Sequence, residues 1–196
     1  MHRSKRGYRF MGGLLGILVL WILFPLGAFG GTPADGEAFP DLVLPAPSDP
    51  QLLNYLGLKA GQESFRLSEI DAPALIIEIY SMYCPHCQRE APTLNDLHTK
   101  IETSPTLGGK LKLIGIGVGN SAFEVDVFRK KYNVTFPLFP DGDFVIHQQL
   151  GEVRTPYFFG LHLKADRPLV LFFSQLGGAK DAGELLEELI QTANLE

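Results

Sequence analysis

The chain has 196 residues, of which 45% are hydrophobic and 20% are charged, so it can bury one ordinary globular core. Residues 1–31 hold four basic and no acidic side chains, which leaves 13 basic against 22 acidic residues in the body. An acidic body argues against a nucleic-acid partner, and two cysteines in one tetrapeptide exclude a scaffold stapled by several disulfides.

The first 31 residues have the pattern of an export or anchoring segment. Basic residues are confined to residues 1–10, and the uncharged run 11–31 follows. That run approaches the roughly 20 residues needed to cross a bilayer, and it also suits the hydrophobic part of a secretory signal. We expect residues 11–31 either to anchor the chain in the cytoplasmic membrane or to be cleaved near Ala28 or Gly30. Either outcome places the body on the periplasmic side.

Residues 32–62 are rich in proline, with Pro33, Pro40, Pro45, Pro47 and Pro50. Proline favours extended or turn conformations over a helix. We therefore predict a Pro-rich tether and the start of a domain over 32–62, and the domain itself over 63–196.

The body then alternates between strand and helix patterns. Residues 74–80 are almost continuously apolar and β-branched, as expected for a central parallel strand, and Glu78 is the exception. A helical pattern begins at Pro85, and Pro92 is expected to kink it. Residues 111–118 predict a second buried strand.

The second half continues this alternation. Ser121 and Glu124 form a capping box that predicts the start of a helix. Residues 156–159 and 169–173 predict two further strands, and a final amphipathic helix ends near Ala193. The order predicts an α/β fold with a central mixed β-sheet flanked by helices on both faces.

The tetrapeptide Cys84-Pro85-His86-Cys87 joins the first buried strand to the first long helix. A sulfur at a helix amino terminus faces unbonded N–H groups that favour its thiolate and lower its pKa from about 8.5. Pro85 suits the first helical turn. Cys84 is thus predicted to attack and Cys87, three positions on, to resolve. His86 adds a positive charge or a donor beside the thiolate, which makes the couple more oxidising.

These features together resemble the thioredoxin-like superfamily over roughly residues 39–193. The resemblance rests on the strand at 77–80, the Cys84–Cys87 motif, Pro92 and the Thr155-Pro156 pair. It implies a cis proline at Pro156, packed against the disulfide. The long stretch between the cysteines and Pro156 is similar to the TlpA/ResA-type branch, which adds a strand–helix unit and is usually tethered outside the cytoplasmic membrane.

Other positions agree with this branch or depart from it. Glu90 stands where the branch often has an active-site glutamate, and Tyr83 stands where an aromatic residue, commonly Trp, precedes the first cysteine. The Pro85-His86 pair instead resembles the oxidising DsbA type, although no inserted helical domain of DsbA size fits before Thr155.

Two glutamates are candidate proton carriers. Glu78 lies six residues before Cys84 in an apolar strand, where burial raises the pKa of a carboxyl group. A carboxylate below the second cysteine would accept its proton during exchange; the alternative is an exposed glutamate at a strand end. Glu90 is predicted to transfer a proton or tune a thiol, and the alternative is that it complements the helix dipole or faces water.

The leading hypothesis is an extracytoplasmic thiol–disulfide oxidoreductase without a cofactor or metal, acting on exported protein thiols or disulfides with a membrane redox partner. One alternative is a Cu(I) or Zn carrier that uses Cys84, Cys87 and His86. Another is a thioredoxin-like peroxidase, although no Pro-x-x-x-Thr-x-x-Cys signature occurs. The direction of electron flow stays open, because the branch resemblance implies a reductant and the Pro-His pair an oxidant.

Overall fold

The computed structural model describes residues 32–163, 168–178 and 180–195. Its strands are β1 Ala38–Phe39, β2 Val43–Pro45, β3 Ser64–Arg66, β4 Ala74–Tyr80, β5 Leu111–Val118, β6 Leu138–Asp141, β7 Tyr157–His162 and β8 Leu169–Leu176. Its α-helices are α1 Pro50–Leu56, α2 Pro85–Thr103, α3 Ala122–Tyr132, α4 Val145–Gln149 and α5 Ala182–Ala193. The predicted hydrophobic segment 11–31 lies outside the described residues, and within them no helix has the length and apolarity to cross a membrane.

The central sheet has six strands in the order β1-β8-β7-β4-β5-β6. Strands β4, β5 and β6 run parallel, whereas β7 and β8 are antiparallel to their neighbours. The predicted mixed sheet is therefore confirmed. Strand β4 lies between β5 and β7, so every one of its residues is buried, as its continuous apolar pattern predicts.

Helices cover both faces of the sheet, as predicted. One core contains Leu94 of α2, Phe128 of α3 and Leu189 of α5. The opposite core contains Leu56 of α1 and Ile146 of α4, together with the small β2–β3 sheet. Two separate apolar cores therefore sandwich the sheet.

The segment 32–62 is more ordered than its prolines predict. Strand β1 pairs with β8 in the central sheet, and Phe39 is buried. The expectation of extended chain is wrong at α1, where Pro50 occupies the first helical turn and the Asp49 side chain accepts a hydrogen bond from the Gln51 N–H at 2.8 Å. A proline at that position costs no hydrogen bond, because its N–H would be unbonded anyway. The folded unit therefore begins before residue 63.

Helices α2 and α3 begin where the sequence predicts. Cys84 is the N-cap residue of α2, Pro85 opens its first turn, and the helix continues through Pro92 to Thr103. In α3, Ser121 and Glu124 bond reciprocally to each other's backbone, which confirms the capping box.

Candidate active site

The site lies at one edge of the sheet, where the carboxyl ends of β4 and β5 meet the start of the antiparallel strand β7. Cys84 follows β4 after a short turn, in which the Cys84 N–H donates to the Ser81 carbonyl oxygen at 3.0 Å. Asn120 follows β5, and Thr155 precedes β7. Three segments distant in sequence therefore meet around the first sulfur.

The Cys84 sulfur is partly exposed and is a free thiol. As a thiol it donates to the Thr155 carbonyl oxygen, at a sulfur–oxygen distance of 3.4 Å. Partial burial opposes its ionisation, but hydrogen bonds from Thr155, from the Cys87 and His86 backbone and from the Cys87 side chain lower the pKa of Cys84 below its ordinary 9.0. This confirms the predicted direction for a sulfur at a helix amino terminus.

The Cys87 sulfur differs from its companion. Cys87 is 0% exposed, and burial, followed by the charge of Glu78, raises the pKa of its thiol far above 9.0. The two side chains lie within hydrogen-bonding reach of each other. One accessible sulfur that ionises readily thus stands beside a buried sulfur that holds its proton, an asymmetry suited to sequential attack and resolution.

Glu78 lies inside the protein, so its placement at an exposed strand end is wrong. It is 2% exposed and stands in β4 opposite Gly115 and Phe158. Burial raises the pKa of Glu78 well above 4.5, and the charges of Glu90 and Cys84 raise it further. This carboxyl group is a stronger base than an ordinary glutamate when it is ionised.

Glu90 is also buried, at 5% exposure, so the alternative in which it faces water is wrong. It lies on the inner side of α2, against the connection between β8 and α5. A Cβ atom added to Gly178 would stand 2.9 Å from Glu90 Oε1, so the missing side chain makes room for the carboxylate. Glu90 adds negative charge near Glu78.

The peptide bond between Thr155 and Pro156 is cis, as the family resemblance implies. Pro156 is buried, and Thr155 is the residue that contacts the Cys84 sulfur. The structure therefore brings this pair to the first cysteine, although Thr155 is 71 positions away from Cys84 in the sequence.

Tyr83 and His86 lie on the outer side of the site. The backbone N–H of His86 helps stabilise the Cys84 thiolate, whereas its exposed imidazole accepts a hydrogen bond at Nδ1 from Arg89, 3.0 Å away, because a guanidinium group only donates. The predicted contribution of the His86 imidazole to the thiolate stays a prediction, because the donor that the structure places there is the His86 backbone N–H. The Tyr83 hydroxyl donates to the Glu124 carboxylate at the start of α3.

An open depression of about 450 Å³ adjoins the first sulfur. Its lining includes Tyr83, Phe144, Arg154 and Thr155, and the first two of these are exposed aromatic residues. Such a surface suits contact with another polypeptide. Among the described residues, no three His, Cys, Asp or Glu side chains are grouped to hold a metal ion.

Sequence reasoning missed three buried or half-buried residues around the cysteines: Tyr80, Gln88 and Asn120. Tyr80 and Asn120 are 0% exposed, and Asn120 accepts a hydrogen bond from the Met82 N–H. One signal was available for Asn120, which lies two residues after the predicted parallel strand 111–118. The carboxyl ends of neighbouring parallel strands meet at one edge, where sites form.

Comparison with known proteins shows what this geometry resembles. The model of the AhpC/TSA family matches residues 36–175. The thiol-disulfide oxidoreductase ResA of Oceanobacillus iheyensis is 24% identical over 158 residues, which cover 81% of this chain and 65% of that protein. The chain therefore matches somewhat less than two thirds of the length of this curated relative.

Solved structures show the same fold. A secreted disulfide oxidoreductase of Mycobacterium tuberculosis, homologous to E. coli DsbE, matches with a TM-score of 0.52 at 20% identity, over 66% of this chain and 89% of that one. The thioredoxin domain of a thiol-disulfide oxidoreductase from Bacteroides vulgatus matches with a TM-score of 0.58 at 13% identity, over 83% of this chain and 100% of that one. The fold is thus thioredoxin-like.

Proposed function

We propose, since the chain belongs to the AhpC/TSA family, that it is a thiol–disulfide oxidoreductase in which Cys84 attacks and Cys87 resolves. The observation that carries this proposal is the placement of the two sulfurs. Cys84 is partly exposed at the amino terminus of α2, whereas Cys87 is buried beside Glu78. The name of the ResA relative supports the same reaction class.

In the reductive direction, the Cys84 thiolate attacks one sulfur of a substrate disulfide. The substrate S–S bond breaks, a mixed disulfide with Cys84 forms, and the other substrate sulfur leaves as a thiolate that takes up a proton. Cys87 then loses its proton to the Glu78 carboxylate and attacks the Cys84 sulfur. The bond between Cys84 and the substrate breaks, and the second substrate sulfur leaves as a thiolate that takes up a proton. The products are the Cys84–Cys87 disulfide and a substrate reduced by two electrons. Donation of a disulfide is the reverse sequence.

Glu90 has a supporting role in this scheme. Its negative charge raises the pKa of Glu78, which makes the Glu78 carboxylate a better acceptor for the proton of Cys87. Thr155 and Pro156 complete the surface around the first sulfur, and Tyr83, Pro85 and His86 form its outer boundary.

The substrates in this proposal are thiols and disulfides of exported proteins, and a membrane redox partner resets the cysteine pair. Residues 11–31 either anchor the body to the cytoplasmic membrane on its periplasmic side or are removed after export. The M. tuberculosis structural neighbour is described as secreted, which supports an extracytoplasmic site. The exposed aromatic residues beside Cys84 would contact the substrate polypeptide.

Single-cysteine variants test the reaction with 5,5′-dithiobis(2-nitrobenzoate), an aromatic disulfide that releases a coloured thiolate. Reduced Cys87→Ser should release one equivalent rapidly and keep the other half bound as a stable mixed disulfide. Reduced Cys84→Ser should react at least about a hundredfold more slowly, because its remaining thiol is buried and protonated. Insulin reduction should be lost in both variants, and normal turnover by either one would overturn the proposal.

The direction of electron flow is decided by the reduction potential of the cysteine pair, measured by equilibration with glutathione. A value near about −270 mV indicates a reductant, and one near about −120 mV indicates an oxidant. The lowered pKa of Cys84 stabilises the reduced pair and favours the oxidising side, whereas the likeness to ResA favours a reductant.

A further inference from the structure

The turn between β4 and α2 is held by side chains from two other places in the chain. The Met82 N–H donates to Asn120 Oδ1 at 2.8 Å. Gln88 Nε2 donates to the Met82 carbonyl oxygen at 2.7 Å. Both backbone polar groups of Met82 are therefore bonded to side chains rather than to a neighbouring strand.

Asn120 is buried, and its backbone is fixed by a hydrogen bond. It has no exposed surface, and its own N–H donates to the Gly117 carbonyl oxygen at 3.1 Å. A Cβ atom added to Gly117 would stand 3.0 Å from Tyr80 Oη and 3.1 Å from Asn120 Oδ1. The absence of a side chain at Gly117 thus allows Asn120 to reach Met82 from below the turn.

The same turn sets the position of both sulfurs. The Cys84 N–H donates to the Ser81 carbonyl oxygen at 3.0 Å, and a backbone hydrogen bond from Ser81 reaches the Cys87 sulfur. Met82 lies between Ser81, which makes both of these hydrogen bonds, and Cys84. A rotation of its peptide groups would shift Cys84 relative to the N–H groups that stabilise its thiolate.

We infer that Asn120 is a positioning residue of the redox site, and that it acts with Gln88 by fixing the backbone of Met82. The inference rests on the proposed function, since the placement of the turn matters only if Cys84 reacts. Removing the buried amide leaves the partly buried Met82 N–H without its acceptor, which is unfavourable unless the turn moves. Movement of the turn displaces the sulfur.

The test uses Asn120→Leu, which has a similar volume but no acceptor, in a Cys87→Ser background that leaves a single thiol. The rate of Cys84 alkylation by iodoacetamide is measured as a function of pH. We expect the midpoint of this profile to rise, and each unit of rise lowers the rate below the midpoint about tenfold. Unfolding by urea is measured in parallel.

A matched control separates positioning from general stability. Asn95, on α2, donates to the Tyr132 carbonyl oxygen at 3.1 Å and accepts from the Thr135 N–H at 3.1 Å. Asn95→Leu should therefore lower stability without moving the midpoint of Cys84 alkylation. An equal shift in Asn95→Leu would overturn the inference, because general loosening would then explain both results.

Gln88→Met provides a second variant that does not depend on a buried substitution. It removes the donor to Met82 and should raise the alkylation midpoint by less than Asn120→Leu does. Because both side chains act on one residue, the double variant should shift the midpoint by less than the sum of the two. Unchanged midpoints in Asn120→Leu and Gln88→Met would overturn the inference, and if Asn120→Leu does not fold, Gln88→Met alone decides. A parent profile with the midpoint of an ordinary free thiol would instead contradict the proposed function.

Discussion

On one face of β4, Leu75, Ile77 and Ile79 belong to an apolar core, whereas on the other face Ile76 is followed by Glu78 and Tyr80. Both faces are fully covered, and alternate residues of one strand supply them. The difference between them is therefore chemical. Only the face covered by α2, α3 and α5 contains the cysteine pair, and only that face buries a carboxyl group from β4.

The face of β4 that carries Glu78 is the one that costs the protein stability. A buried carboxyl group is destabilising unless it stays protonated or gains partners. The raised pKa of Glu78, caused by burial and by neighbouring negative charge, limits this cost because the carboxyl group keeps its proton to a higher pH than an ordinary glutamate. The carboxylate form that accepts the Cys87 proton is the costly one. On the opposite face β4 has no reacting group to serve, and its own residues there are all apolar. The polar residues of β4 are thus placed for chemistry, and its apolar residues for stability.

The largest predicted effect comes from moving the carboxyl group to the other face. Ile77→Glu places it among the apolar side chains of the first core, where Ile77 is 0% exposed. We expect the free energy of unfolding to fall by about 4 kcal/mol or more at pH 7, because an unpaired carboxyl group replaces a packed side chain. Urea denaturation followed by circular dichroism measures the loss.

The matched variant is Glu78→Ile, one position along the same strand. It should fold and be at least as stable as the parent at pH 8, because it removes a buried acid, although it should lose rapid resolution of mixed disulfides. Near-parent stability of Ile77→Glu would show that the two faces do not differ as described.

Glu78→Gln tests the second face of β4, the one that carries Glu78, through the pH dependence of the free energy of unfolding. Since the folded state raises the pKa of Glu78 above 4.5, it keeps a proton that the unfolded chain releases. The parent should therefore lose stability as pH rises above 4.5, by up to about 1.4 kcal/mol per pH unit until the raised pKa is passed. Glu78→Gln should lack this loss, so its advantage over the parent should grow between pH 4 and pH 8.

Urea denaturation of the reduced proteins at pH 4, 6 and 8 measures this difference, and Glu187→Gln on the exposed side of α5 is the control. The rate of mixed-disulfide resolution should fall roughly a hundredfold in Glu78→Gln if its carboxylate accepts the Cys87 proton. Parallel stability profiles for the parent and Glu78→Gln would refute the assignment of a raised pKa to this residue.

Much of this second face could be predicted from sequence, because its signals are local. Cys84, Cys87 and Pro85 form one short motif at a strand–helix junction, and Glu78 is conspicuous as the only charged residue in an apolar strand. The sheet and its flanking helices follow from similar periodic patterns. These signals do not require knowledge of how distant segments pack.

The contacts between distant segments could not be predicted in this way. Asn120 meets Met82 across 38 positions. Its place after a parallel strand indicates the edge of the sheet where it lies, but no local pattern pairs it with Met82. The burial of Glu90 depends on the close approach of Gly178, which follows another strand. Helix α1 departs from the prediction for a local reason: the prolines of 32–62 favour extended chain over a helix, but Pro50 stands in the first helical turn, where proline is tolerated.

The smallest predicted effect comes from Glu90, which influences the second face only through its charge. Glu90→Gln removes a negative charge that raises the pKa of Glu78, so the pKa of Glu78 should be lower in this variant. The variant should therefore lose stability over a narrower pH range than the parent does. The gain in stability at pH 8 should therefore be smaller than that of Glu78→Gln.

Gly178→Ala tests the effect of Glu90 on Glu78 without removing the charge. Its Cβ atom would stand 2.9 Å from Glu90 Oε1 and must displace the carboxylate, so the pH dependence of stability should change in this variant too. Gly142→Ala, whose Cβ atom would have no neighbour closer than 3.6 Å, is its control. If Glu90→Gln leaves the pH dependence of the parent unchanged, Glu90 is not coupled to Glu78, and the raised pKa of Glu78 must then come from burial and Cys84 alone.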